Sequence, residues 1–360
     1  MSDAVTLGGD AAAVQPVPNA VFSVDSVLGK ERYDLWRESI SCIFEVDGDR
    51  ESRRSEAFKA EIDATMFGPI MLARTQTLQQ DWRRSASVMA RDGMDHYMIQ
   101  LFEHGQMQWE DGTGLRELPE DGLIVFDLAQ EMNSRTNDFR NLSLIIPRDM
   151  MDGVLKPQCD QHMRVLTKDE PMVNLLRDHM MSLKALSHRM NLSQAIEIAP
   201  ATAGLAAACL NAAVDQENPN QSSGVAMAQL TMIRRFIESN LSEPDLSAEW
   251  IAKRVGASRS KLYKLFDAFG GVGAYIRDRR LRRALLALTD ETAHYRPIYD
   301  IALASGYTSD AAFSRAFRAK YGIAPRDVRN NRAQLNALGD PGAGEGVDRR
   351  YERWLHHLSV

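Results

Sequence analysis

Cysteine is scarce in this 360-residue chain. The three present, Cys42, Cys159 and Cys209, lie far apart in sequence and form no metal-ligand spacing. That excludes a disulfide scaffold and leaves reduced thiols in a cytoplasmic protein as the expectation. Long apolar runs are missing too. Nothing approaches the roughly 18 uninterrupted apolar residues that a membrane span needs, so no membrane partner is expected. The first twenty residues, Met1 to Ala20, lack a basic start followed by an apolar stretch, and are expected to form a disordered arm rather than a signal peptide. No Ser-His-Asp logic stands out, and Gly8-Gly9 precedes no strand–helix unit that could cradle a phosphate. No catalytic residue, metal or cofactor is therefore assigned, and the chain is not expected to be an enzyme.

What is present is an uneven charge distribution on a chain that is 44% hydrophobic, enough for two cores. The formal net charge of -6 conceals -13 over residues 1–225, +8 over 226–332 and -1 over 333–360. A basic block within an acidic protein is the footprint of a nucleic-acid-binding unit. The sign changes near Gln216 to Gly224, a polar, breaker-rich stretch that reads as a linker. Upstream, residues 40–146 hold short runs such as His96 to Glu103, Met107-Gln108-Trp109 and Leu123-Ile124-Val125-Phe126. Gly, Pro and Asp break them up, as in antiparallel strands and turns. Residues 169–189 and 193–214 change to helical spacing, with Pro200 expected to break the second stretch. Two readings fit these helices: packing on the sheet, or a dimerisation surface. From 226 onward the pattern is helical, in segments near 227–240, 247–254, 258–269, 272–289, 297–304, 309–320 and 325–337. Ser247, Ser258 and Ser309 stand where N-caps belong.

Within that block one pattern occurs twice, about fifty residues apart. It reads Ile251-Ala252, Gly256, Ser258, Leu262, Lys264, Phe266, and then Ile301-Ala302, Gly306, Ser309, Phe313, Arg315, Phe317. In each copy Ile-Ala sits on a helix that ends at a Gly, and a Ser follows within three residues. Apolar residues come four and eight after the Ser, and a basic residue six after it. The Gly permits the left-handed backbone of a tight turn. The apolar pair buries one stripe of the second helix against the first. The basic residue then points outward, where contact with bases or phosphates requires it. This is helix-turn-helix logic, and two copies joined by a long basic helix could place recognition helices about 34 Å apart, in successive major grooves. The bland alternative is a helical hairpin repeat in which these residues are only core.

The segment Leu246 to Arg329 closely resembles the AraC/XylS-type DNA-binding domain. The resemblance rests on Ile251-Ala252, Leu262, Phe266, Gly270, Tyr275-Ile276, Leu281 and Ala284-Leu285, and on the closing signature G-Y-x-S-x-x-x-F-S-R-A-F-x-x-x-Y-G-x-x-P from Gly306 to Pro325. It implies that Ser260, Lys261 and Lys264 read bases from the first recognition helix, with Arg259 on phosphate. On the second recognition helix it implies Asp310, Ala311, Ser314 and Arg315, with Arg318 and Lys320 near the backbone. Where the family places Ser or Thr and then Pro to cap the connecting helix, this chain has Gly271-Val272-Gly273. A lost cap costs about 1 kcal/mol and puts the stiffness between the two units in question. The Arg277 to Arg283 cluster reads as phosphate contacts or as a partly salt-bridged face.

Residues 30–155 are more loosely similar to the cupin-like effector-binding domain of one branch of this family, through Trp36, Asp95 to Leu101, Gly105 and Ile145-Ile146-Pro147-Arg148. The expected fold is α+β: an N-terminal cupin-like β-barrel with a helical extension, and a C-terminal all-α domain of two helix-turn-helix units joined by a long helix. The expected boundaries are an arm (1–20), a sensor and dimerisation domain (21–215), a linker (216–225), a DNA-binding domain (226–338) and a tail (339–360). The resemblance implies a ligand-responsive activator of catabolic genes. Its partners would be promoter DNA, a small aromatic or acidic effector, RNA polymerase and a second copy of the chain. Candidate ligand contacts are Arg74, Trp82, Arg91, Tyr97, Gln100 and Trp109, the two arginines suiting a carboxylate. Two rivals stand beside it. One is an N-terminal domain that only dimerises or binds a protein, which an interior filled by apolar side chains would favour. The other is an enzyme–regulator fusion. For that, His96 and His104, eight residues apart, lack metal-site spacing.

Overall fold

A computed structural model of the chain describes residues 15–48, 57–92, 94, 96–112, 114–152, 154–155, 161–217, 224–289, 296–330 and 347–358. The N-terminal half starts with β1 (Asn19–Ser23), α1 (Gly29–Ile40), β2 (Glu45–Asp47), β3 (Ala60–Phe67), β4 (Ile70–Thr77), β5 (Gln80–Arg84) and α2 (Ala86–Asp92). It continues with β6 (His96–His104), β7 (Met107–Asp111), β8 (Gly114–Glu117), β9 (Leu123–Asp127), β10 (Met132–Thr136) and β11 (Phe139–Pro147). α3 (Arg148–Asp152), β12 (Arg164–Leu166), α4 (Pro171–Leu186) and α5 (Leu192–Glu217) complete it. The strands form two antiparallel sheets, ordered β1-β3-β4-β11-β6-β9-β12 and β2-β5-β10-β7-β8.

Strand periodicity of two decides which core each side chain joins. On β6, Tyr97, Ile99 and Leu101 pack with α4 and α5, while Met98 and Phe102 turn toward the smaller sheet. On β11, Leu142, Leu144 and Ile146 take the helical side and Phe139 and Ile145 the other. The larger sheet is thus covered on both faces, which is why β9 is apolar and buried at Leu123, Ile124, Val125 and Phe126 in succession. α4 contributes Val173, Leu176 and Met180 to the helical side, and α5 contributes Ala195, Ala199, Ala203, Ala206 and Leu210.

Pro200 does not break the second helix, contrary to the sequence expectation: α5 runs unbroken for 26 residues. An interior Pro costs about 3 kcal/mol. Here it lies on the exposed side, while the Ala-rich side is fixed against the sheet, and that burial outweighs the lost hydrogen bond. Leu192–Ala212 of α5 is long and apolar enough to cross a membrane by composition, but its apolar face is part of this core. Cys209 is buried there, and burial pushes its thiol pKa up to about 11. Cys159 lies outside the described residues, as do residues 1–14 of the expected arm and 218–223 of the expected linker.

The C-terminal half holds α6 (Gly224–Ser239), α7 (Ala248–Val255), α8 (Arg259–Leu265), α9 (Val272–Thr289), α10 (Ile298–Ala304), α11 (Asp310–Tyr321) and α12, described over 325–330. It has two small cores. Ile237, Leu241, Ile251, Leu262 and Phe266 build the first, and Ile301, Phe313, Phe317 and Val328 the second. α9 serves both, giving Val272, Tyr275 and Ile276 to the first and Leu281, Ala284 and Leu285 to the second. The chain therefore has the mixed architecture expected, β-sheets N-terminal and helices C-terminal. The two halves touch: α11 packs against α2, and the charge of Arg282 on α9 acts on Asp127 at the end of β9. A last helix, α13 (Arg350–His357), returns to the β-sheet half, where Val347, Tyr351 and Leu355 enter its core.

Candidate functional site

Both helix-turn-helix units are built by local rules. Ser247, Ser258 and Ser309 each cap a helix, their Oγ atoms accepting from the backbone N–H groups of Trp250, Lys261 and Ala312 at 3.2 Å. The turns pass through Gly256 at φ +65 and Gly306 at φ +77. On α8, Leu262 is fully buried, while Arg259, Ser260, Lys261, Tyr263 and Lys264 are exposed. On α11, Phe313 and Phe317 are buried, and Asp310, Ala311, Arg315, Arg318 and Lys320 are exposed with Ser314 half-buried. The residues that sequence reasoning assigned to DNA thus fall together on the outward faces of α8 and α11. Among the described residues, no ion pair holds Arg259, Lys261, Lys264, Arg315 or Arg318. Lys320 differs, for its ammonium sits 2.5 Å from Asp278 of α9. Tyr263, half-exposed on α8, was missed by sequence reasoning; an aromatic between charged positions was the available signal.

The joint between the two units is where the basic helix α9 acts. Arg279 pairs with Glu238 of α6, and Arg280 donates to the carbonyl of Leu241 at 3.0 Å and to that of Glu243. Arg283 reaches Ser242 Oγ at 3.2 Å, and Ser242 Oγ donates to Ala304 O at 2.9 Å. A Cβ at Gly306 would lie 2.3 Å from Leu241 O and 2.6 Å from Arg280 Nε. The turn of the second unit is therefore seated on the end of α6 with Arg280 between them. Burial at this seat lowers the Arg280 pKa. Gly271, at φ +93, supplies no capping side chain to α9, but α9 packs into both cores and these arginine contacts tie it to α6 and the residues that follow it. Arg279 and Arg280 are fasteners, which leaves Arg277 and Arg283 as the exposed cations of that cluster.

In the β-sheet half, the faces of the two sheets that look at each other enclose a cavity of about 60 Å³. Its walls include Met71, Trp82, Met98, Phe126 and Phe139, with a polar patch of Thr75, Gln100, Ser134, Thr136, Asn141 and Ser143. Gln100 Nε2 donates to Ser143 Oγ at 3.0 Å, and Trp82 Nε1 to Thr136 Oγ1 at 2.9 Å. Asn141 is 3% exposed and its Oδ1 has no hydrogen-bond partner among the described residues. Of the expected ligand contacts, Trp82 and Gln100 line this cavity and three do not. Arg74 lies on the opposite face of β4, held by Glu103 at 2.8 and 2.9 Å. Tyr97 lies on the helical side of β6, with the Arg148 guanidinium 4.4 Å from its ring centre. Trp109 packs in the same core as Trp82 without reaching the cavity. The Arg91 side chain lies outside the described ones. Among the described residues that line the cavity, none carries a charge, and no group of three His, Cys, Asp or Glu side chains could hold a metal ion. The notable missed residues are Tyr351 and Leu355 of α13, which form part of the cavity wall.

A helix-turn-helix domain family model matches residues 251–331. The regulatory protein SoxS of Salmonella typhimurium is 37% identical over 97 residues, 26% of this chain and 87% of that protein. The transcriptional activator NphR of a Rhodococcus species is 22% identical over 323 residues, covering 87% of this chain and 92% of its own length. Among solved structures, the AraC-like transcriptional activator CuxR aligns with a TM-score of 0.50 and 23% identity, over 74% of this chain and 95% of that one. The last likeness is one of fold.

Proposed function

The chain belongs to the AraC family of DNA-binding transcription regulators, and from that premise we propose that it is a ligand-responsive activator, acting in the cytoplasm as a homodimer at promoters of catabolic genes. The observation that carries the DNA contacts is the pair of exposed cations without an ion-pair partner among the described residues, Lys264 and Arg315, on two helices whose units α9 joins. Arg315 offers a planar fork suited to guanine, and Lys264 a point charge for base or phosphate. Ser260, Lys261, Asp310, Ala311 and Ser314 complete the base-reading surface, with Arg259 and Arg318 on phosphate. Lys320 is a weaker contact, because Asp278 already neutralises it.

The cavity between the sheets supports an effector site over a domain that only dimerises, since its interior is not filled by apolar side chains and retains an unsatisfied acceptor. Activation, and with it contact to RNA polymerase, is supported by the extent of the similarity to NphR. No step of catalysis is assigned. Genome-wide capture of DNA fragments by purified protein tests the reading: the wild type should give discrete peaks that the Lys264→Ala/Arg315→Ala variant loses while its helical content stays the same. Identical peaks from both proteins would overturn the assignment of these residues.

A further inference from the structure

The cavity is too small for the role just given to it. At about 60 Å³ it has room for a few water molecules, whereas an internal cavity of roughly 150 Å³ is what holds a benzene ring. Some wall must give way. Most of the wall belongs to strands fixed on both sides by ladder hydrogen bonds, and Ile40, Ile43 and Phe44 belong to the end of α1 and the turn after it, where buried Arg84 donates to Ile43 O at 2.7 Å. Tyr351 and Leu355 are different. They come from the eight-residue helix α13, outside both sheets, and they are 1% and 3% exposed.

We propose that α13 is an internal stopper of this cavity, and that the effector is an uncharged, mainly apolar molecule with a hydrogen-bond donor that takes the space of Tyr351 and Leu355. The inference rests on the reading of the cavity as the effector site. The class follows from the walls. Burying an ion beside walls without a charge would cost more than the contacts return. A single donor, by contrast, would satisfy Asn141 Oδ1, whose present lack of a partner is itself a cost.

The way α13 is held fits a removable part. Inside, the Tyr351 ring meets Phe22 at 5.9 Å between centroids. The other fastenings are polar, and those on Ser39, Glu352 and His96 are buried beneath the helix. Tyr351 Oη and Ser39 Oγ are 2.7 Å apart, Ser39 also donates to Glu352, and Arg349 reaches Glu38 at 2.9 Å. His96 Nε2 donates to Leu358 O at 2.8 Å, and Arg350 donates to Asn19 O at 2.7 Å. Departure of the helix would open these groups to water, which can take the place of each partner. In the chain, α13 follows the second helix-turn-helix through residues 331–346. Its docking therefore tethers that unit to the sensor, and its release frees it. Effector and stopper then exclude one another, so each weakens the other's hold by the same factor.

The test uses the full-length protein and indole, an uncharged aromatic probe with one N–H donor, measured by calorimetry beside indole-3-acetate. Tyr351→Ala/Leu355→Ala should bind indole at least about tenfold more tightly than wild type, and adding Asn141→Leu should remove the gain. Leu355→Ala alone, which keeps the Tyr351–Ser39 contact, should show a smaller gain and guards against a misfolded double variant. Saturating indole should also speed amide exchange over 351–358 in the wild type. Equal indole affinity in wild type and both variants would overturn the stopper, as would bound indole with unchanged exchange over 351–358. Tighter binding of indole-3-acetate than of indole would overturn the ligand class. None of these outcomes touches DNA capture by Lys264 and Arg315, so failure here is separable from failure of the regulator reading.

Discussion

Gly306 is a residue at which the second helix-turn-helix unit admits no side chain. It needs a positive φ of +77, and it also has no room for a Cβ, because Leu241 O and Arg280 Nε already occupy that space. Gly306→Ala should therefore cost at least about 2 kcal/mol, more than backbone strain at a free turn. Urea unfolding followed by circular dichroism would show it; a loss below about 0.5 kcal/mol would mean the joint does not constrain the turn. Glycine 256 offers the contrast, since its positive φ comes with open space around the missing side chain. Sequence reasoning found both glycines and treated them alike. The repeat made the turn visible, but the steric demand on one of them comes from a carbonyl 65 positions away, which no local pattern records.

At the scale of elements, the polar pair that ties β9 to the start of α3 gives the β-half a pH dependence. Burial alone would raise the Asp127 pKa, but the charges of Arg148 and Arg282 and the N–H of Ala129 outweigh it, and the carboxyl is held below its ordinary value. A folded-state value below the unfolded one means the contribution to stability is complete above the ordinary carboxylate value and is lost as pH falls below it, toward the lowered folded-state value. Asp127→Asn should destabilise the protein by about 3 kcal/mol near neutrality, leaving Arg148 buried without its countercharge. The gap between variant and wild type should close below about pH 4, read from thermal melts across pH. A gap constant from pH 7 to pH 3 would show that the pair does not carry the effect.

The helices were legible where their signals are local: caps at Ser247, Ser258 and Ser309, stops at glycine, apolar positions four apart. The strands were legible as strands, but not as faces. Tyr97 and Gln100 looked equally suited to a ligand, because a sheet covered on both sides gives no polar face to mark which way a residue points. Arg74 was placed wrongly for the same reason, and its tie to Glu103 puts it outside the cavity. A short helix ending the tail near Trp354-Leu355 was legible, but its role was not. At eight residues it is too short to be stable alone, and its apolar residues acquire meaning only from a seat built by α1, β1 and β6.

The whole molecule joins two helix-turn-helix units to a β-sheet half. Within the helical half, Arg279 and Arg280 bind α9 to α6 and to the loop that follows it, so the separation of α8 and α11 is fixed by packing and not by the missing cap of α9. Between the halves, α11 rests on α2 and the charge of Arg282 acts on Asp127. The charge asymmetry already visible in the sequence becomes spatial: an acidic β-sheet half and a basic helical half with exposed cations on α8, α9 and α11. What the sequence could not give was how firmly the two units are aligned, since the arginine cluster read equally well as phosphate contacts.

That alignment is the central claim, and hydroxyl-radical footprinting on a captured promoter fragment tests it most directly. With Lys264→Ala and Arg315→Ala made separately, each variant should lose protection over its own segment, the two segments lying on one face of the duplex about 10 base pairs apart. If both variants lose the same segment, or neither loses any, the two helix-turn-helix units do not read successive major grooves.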